Sequence, residues 1–235
     1  MRTPVAGTAV LECRGLTAGY GGVPVVQDVD ICVAAGEVVV LLGPNGAGKT
    51  TTLLTVAGDL PRIGGEILFD GESRRLPLYQ RARRGLAFIT EERSAFMSLT
   101  VRENLRLGRG GVDAALDLVP ELAPLLDRRV GLLSGGEQQM LTVGRALAAR
   151  PAVLLADELS LGLAPKILDR LLGLVRRAAD DGVGVLMVEQ QARKALRICD
   201  RGYVLSKGRV SMEGGAEDLL RRLPEIEAAY LSART

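Results

Sequence analysis

Residues 37–51, EVVVLLGPNGAGKTT, leave few ways for this 235-residue chain to fold. The short apolar run predicts a strand covered on both faces, a glycine-rich turn follows it, and Lys-Thr-Thr opens a helix. Gly43-Pro44-Asn45-Gly46-Ala47-Gly48-Lys49-Thr50 fits the spacing GxxxxGK[ST]. Glycines in such a turn let backbone N–H groups converge on phosphate oxygens at the positive end of the helix. On this spacing Lys49 reaches the β- and γ-phosphates, the Thr50 hydroxyl ligates Mg²⁺, and Thr51 continues the same phosphate-binding junction. Arginine is no easy substitute for Lys49, because its planar fork is bulkier than a point ammonium. Only four of the 30 basic residues are lysine, which makes the one in the loop notable.

Runs at 152–157 and 183–188 are also near-continuously apolar, as strands of a parallel sheet covered on both faces should be. The first of them ends in Asp157-Glu158, and strand ends are where α/β sheets bind ligands. Asp157 is placed to hold Mg²⁺, and Glu158 to polarise a water for in-line attack on a γ-phosphate. Taken alone, such a pair is as often an exposed strand end; the phosphate loop in the same chain favours the catalytic reading. The first 35 residues alternate at 8–13 and 25–33 around GYGG, which predicts a small antiparallel sheet that 66–70 extends. Residues 74–133 are polar and Arg-rich and read as an inserted helical subdomain, dividing the core into 8–73 and 134–235. From 201, two strands turn at Lys207-Gly208, and short helices at about 215–222 and 224–231 follow.

Composition removes several classes of function. There is no histidine, which excludes Ser-His-Asp and Cys-His nucleophilic sites and every His-ligated metal centre. Three scattered cysteines, Cys13, Cys32 and Cys199, suit reduced thiols better than a disulfide framework. A net charge of +2 and 3% aromatic residues argue against a nucleic-acid partner. The start lacks the apolar core of a signal peptide and no apolar run reaches spanning length, so the expected chain is soluble and cytoplasmic.

Leu133-Ser134-Gly135-Gly136-Glu137-Gln138-Gln139 precedes a helical run. Ser134 and Glu137 form an S-x-x-E capping box, so a well-started helix explains part of it. The two glycines cost helix stability, but they let a second anion approach bare backbone N–H groups. LSGGEQ resembles the signature of ABC ATPases, and the resemblance covers 8–231 with the motifs in family order. It implies a P-loop NTPase core of α/β class with an N-terminal antiparallel β-subdomain and an inserted α-helical subdomain. It implies ATP and Mg²⁺ as ligands, and a head-to-tail homo- or heterodimer with a second ABC ATPase. In that dimer Ser134, Gly135 and Gly136 meet the γ-phosphate bound by the partner cassette. Tyr20 matches an aromatic stacked on adenine; the plainer account is a surface tyrosine beside a turn. The resemblance also implies two integral-membrane permease subunits, an external solute-binding protein, and a peripheral place on the inner face of the cell membrane.

Within the family the chain is most similar to the second ATPase of branched-chain amino acid importers. Ile89-Thr90-Glu91-Glu92-Arg93 resembles that group's PEGRR, which puts Glu91 where most ABC ATPases have a glutamine that contacts Mg²⁺. Val188-Glu189-Gln190-Gln191-Ala192 resembles VEQNA, with Gln190 replacing the usual switch histidine at the γ-phosphate. Ser160–Pro165 matches SLGLAP, and the ending AAYLS resembles AYLG. Leu159 departs from the usual proline, Glu92 and Ser94-Ala95 alter the consensus, and 108–131 is short. With no histidine to titrate, hydrolysis is expected to show no transition near pH 6.5. Arg74, Arg75, Arg81, Arg83 and Arg84 read first as a solvated helical face and second as a contact with a membrane partner. The competing functions are an ATPase of another transporter, a non-transport ABC ATPase, or a nucleotide-binding regulatory module with low turnover.

Overall fold

A computed structural model describes residues 8–73, 75–90, 92 and 94–232, with the side chains of 231–232 left aside. The N-terminal alternation yields β1 (Ala9–Tyr20) and β2 (Val23–Ala34), joined by the Gly21-Gly22 turn. β4 (Arg62–Phe69) pairs with the other edge of β1, giving an antiparallel sheet in the order β2-β1-β4.

The second sheet contains β3 (Val38–Leu42), β5 (Leu86–Ile89), β6 (Val153–Asp157), β7 (Gly184–Glu189), β8 (Arg201–Ser206) and β9 (Arg209–Gly215). Its order is β5-β6-β7-β3-β8-β9, and every pairing is parallel except the β8–β9 hairpin. β3 and β6 are buried at every position. Because side chains alternate along a strand, each strand feeds two cores. Val39, Leu41, Leu155 and Leu186 pack with the antiparallel sheet and with Leu53 and Val56 of α1 (Lys49–Ala57). Val40, Leu42, Leu154, Val185 and Met187 face α5 (Gly135–Ala148) and α6 (Pro165–Asp180), through residues such as Leu141, Leu171 and Val175.

The segment 74–133 is not helical throughout. α2 (Leu78–Arg83) leads into β5, whose four residues pair with β6 and form the edge of the parallel sheet. The helical part comes after it. α3 (Val101–Arg106), α4 (Gly111–Leu118) and two short 3₁₀ turns pack mainly on α5. α3 starts at a full capping box, in which Thr100 accepts from the Glu103 N–H and the Glu103 carboxylate accepts from the Thr100 N–H. After α7 (Ala192–Ala195) and the β8–β9 hairpin, α8 (Ala216–Arg221) and α9 (Leu223–Ser232) return to the body of the protein. Leu219, Leu223 and Ile226 are buried there. Leu159, at the family's proline position, is 1% exposed and sits in the core shared with Leu168. It replaces a rigid backbone by an apolar anchor.

Register carries the fold to the site. Leu42 pairs with Glu189, and Asp157 with Val188. The end of β3, from which the glycine-rich loop departs, therefore lies level with the acidic ends of β6 and β7. Among the described residues, no helix is long and apolar enough to cross a membrane.

Candidate functional site

The glycine-rich loop adopts the conformation its composition permits. Gly48 caps α1 with φ 101°, and a Cβ there would lie 2.3 Å from Val26 Cγ1. The loop thus packs directly on β2, in a backbone conformation that only glycine adopts readily. Lys49 Nζ folds back and donates to the carbonyls of Gly43 at 2.9 Å and Pro44 at 3.2 Å. A cleft of about 310 Å³ opens above it, lined by Val25, Asn45, Gly46, Gly48, Lys49, Thr50, Thr51, Glu158 and Gln190. Residues separated by more than a hundred positions in sequence thus share one small cavity.

Glu158 reaches the cleft from a left-handed backbone, with φ 48° at a non-glycine residue, and its N–H donates to Val188 O at 3.0 Å. Such a conformation costs on the order of 1–3 kcal/mol and is held here by its surroundings. Gln190 Nε2 donates to both Glu158 carboxylate oxygens, at 2.7 and 2.9 Å. The sequence reading sends the Gln190 amide to a phosphate; here the amide donates to Glu158. Glutamine can orient a carboxylate in this way, but it carries no proton to or from it.

Beside this pair lies a second carboxyl that sequence reasoning passed over. Glu189 is buried, and it accepts from Ser160 N at 3.1 Å and Ser160 Oγ at 2.5 Å. Burial outweighs those bonds and, with Glu158 and Asp157 nearby, pushes the Glu189 carboxyl up to about 7. Its signal was the acid beside Gln190 in the VEQQA stretch. The Lys49 ammonium is held below its ordinary value by burial, and Glu158, Asp157 and Glu189 oppose the fall.

The donor set suits a hard divalent cation. Thr50 offers a hydroxyl, and Asp157 and Glu158 offer carboxylates, all oxygen ligands of the kind Mg²⁺ takes. Among the described residues, no three acidic, Cys or His side chains form a ready-made metal cage. Mg²⁺ commonly completes such a partial set with phosphate oxygens and water.

Other candidates stand apart from the cleft. Ser134, Gly135 and Gly136 begin α5, where the Glu137 carboxylate accepts from both Ser134 N and Ser134 Oγ at 2.7 Å. They do not line the cavity of their own chain. Tyr20 is 52% exposed at the β1–β2 turn and is not among the lining residues, although Val25 of the same sheet is. Glu91 lies outside the described residues, as do Arg74 and Arg93.

A profile described as ABC transporter matches residues 26–160. The high-affinity branched-chain amino acid transport ATP-binding protein BraG of Pseudomonas aeruginosa is 41% identical over 222 residues, covering 90% of this chain and 95% of that one. The lipopolysaccharide export system ATP-binding protein LptB of Escherichia coli is 37% identical, covering 95% of this chain and 97% of its own. A nucleotide-free cassette from an ABC transporter superposes with TM-score 0.85 at 25% identity, over 95% of this chain and 99% of that one. A dimeric bacterial cassette does so with TM-score 0.77 at 25% identity, over 88% and 98%.

Glu189 gives the folded protein a pH dependence of stability, separate from the flat pH profile of hydrolysis expected of a chain without histidine. Its folded-state pKa is raised from 4.5 to about 7, so its burial penalty is absent below about 4.5 and complete above about 7. The nucleotide-free protein should therefore lose stability, on the order of 1–3 kcal/mol from this group, between about pH 4.5 and 7. Denaturant titrations of Glu189→Gln should show that loss removed. An unchanged pH dependence in the variant would mean that Glu189 does not titrate in this range.

Proposed function

This chain belongs to the ABC transporter family, whose cassettes are ATPases, and from that premise we propose that it binds Mg-ATP in the cleft above Lys49 and hydrolyses it with Glu158. The observation that carries this reading is the convergence of Lys49, Thr50, Glu158 and Gln190 on one cavity. The loop N–H groups and the Lys49 ammonium receive the β- and γ-phosphates. A triphosphate brought beside the Asp157 and Glu158 carboxylates meets like charge, so a divalent cation must accompany it. Thr50 and Asp157, with Glu91, are the residues that would hold Mg²⁺, whose chemistry is to neutralise phosphate charge. Glu158 accepts a proton from the attacking water, and Gln190 keeps the carboxylate turned toward it. Tyr20 stacks on adenine.

Cassettes of this family work as dimers alongside membrane permeases. We place Ser134, Gly135 and Gly136 on the γ-phosphate of a partner cassette, because they begin a helix away from this chain's own cleft. Closure on ATP and reopening after hydrolysis would then drive two permease subunits, with the cassettes peripheral on the inner face of the membrane. The likeness to BraG favours branched-chain or related amino acids as cargo, and an external solute-binding protein would then deliver it. LptB, an export protein of comparable similarity, supports the second reading, another cargo or direction.

Glu158→Gln keeps the shape of the site but removes the proton acceptor. It should still bind Mg-ATP, lose about 10²-fold or more in turnover, and accumulate as a closed dimer on size exclusion. Wild-type turnover in that variant would refute the role of Glu158. For the cargo, the chain purified from detergent-solubilised membranes should bring two multispanning proteins and a second ATPase. Reconstituted with them, it should drive uptake of radiolabelled leucine; export or no amino-acid flux would favour the second reading.

A further inference from the structure

One motif of the sequence finds no place in this mechanism: the tyrosine of the AAYLS ending. Tyr230 lies on α9, where it follows Leu223 and Ile226 at spacings that put all three on one helical face. Leu223 and Ile226 are buried and fix that face to the core. The phenol oxygen of Tyr230 then accepts a hydrogen bond of 2.9 Å from the backbone N–H of Gly43, 187 residues away in sequence. Burial pushes this phenol up to about 12, so it stays neutral at ordinary pH.

Gly43 is the first residue of the phosphate loop, and it has little freedom. With φ 155°, it lies so close to β8 that a Cβ would sit 2.5 Å from Leu205 O. Its carbonyl accepts from Lys49 Nζ at 2.9 Å. The same residue is therefore held at its carbonyl by the phosphate lysine and at its N–H by the C-terminal helix. Packing of an aromatic ring against the core requires no hydroxyl, yet here a hydroxyl stands on the one N–H at the root of the loop.

We propose that Tyr230 is a positioning residue for the nucleotide: its phenol oxygen fixes the Gly43 peptide, and so sets the phosphate loop in its binding conformation before nucleotide arrives. The reasoning is one of preorganisation. A loop whose first peptide is fixed loses less freedom on binding, so the tether strengthens nucleotide affinity without touching the reacting atoms. This rests on the reading of 43–50 as the nucleotide site. The Tyr230 hydroxyl bonds to the Gly43 N–H and not to Lys49 or Glu158, so turnover at saturation should be spared.

The test is Tyr230→Phe in the full chain, with Mg-ADP titrated calorimetrically and Mg-ATP turnover measured. The control is Tyr203→Phe. Tyr203 is buried, and its hydroxyl accepts from Cys32 N and Arg201 Nη1, away from the loop. Loss of one hydrogen bond to the loop should weaken Mg-ADP binding and raise the KM for Mg-ATP about five- to tenfold, with kcat within about twofold. Tyr203→Phe should lower thermal stability and leave both constants unchanged. An unchanged Kd in Tyr230→Phe would overturn the proposal, as would an equal loss of affinity in both variants. Failure of the wild-type chain to bind Mg-ADP would instead overturn the nucleotide site itself.

Discussion

Lys49 is 5% exposed, and its ammonium donates to two carbonyls of its own loop and has Glu158, Asp157 and Glu189 as its electrostatic counterweights. A buried cation without such company would shed its proton or unfold its surroundings. The architecture is arranged to supply that company. β3 must lie beside β7, and β7 beside β6, for the loop that carries Lys49 to open level with the acidic strand ends. Parallel pairing places all three carboxyl ends at the same edge of the sheet, where an α/β fold binds its ligand. Each strand must then be apolar on both faces, because one face meets the antiparallel sheet and α1 while the other meets α5 and α6.

Two adjacent residues, Glu189 at the end of β7 and Gln190 just beyond it, hold the segment that follows β6. Gln190 holds the Glu158 carboxylate, and Glu189 holds the backbone and hydroxyl of Ser160. Residues 158–160 are thus gripped at both ends from one neighbouring strand, which keeps Glu158 in its left-handed conformation. The arrangement explains how a chain without histidine can orient its carboxylate. The orienting amide comes from glutamine, and burial raises the neighbouring Glu189 carboxyl toward neutrality.

Legibility in the sequence followed the range of the interactions. The phosphate loop, the apolar strands and the Lys207-Gly208 hairpin are set by consecutive residues, and each formed within a residue or two of its expected bounds. The edge strand Leu86–Ile89 lies inside a stretch read as helical, and its place in the parallel sheet depends on β6, more than sixty positions later. Leu159 read as a lost proline; its burial in the core that also holds Leu168 belongs to tertiary packing. Glu189 and Tyr230 both stood in stretches noted for resemblance. Their partners, Ser160 and Gly43, are joined to them only by the folded chain.

The central claim is that Gln190 serves hydrolysis by orienting Glu158, and steady-state Mg-ATP turnover of Gln190→Ala tests it most directly. Removal of two hydrogen bonds to a carboxylate should lower kcat by tenfold or more, at about 1.5–3 kcal/mol for a charge-assisted bond. The KM for Mg-ATP should stay within about twofold, because the phosphate loop is untouched. Turnover equal to wild type in a folded, nucleotide-binding Gln190→Ala protein would contradict the account.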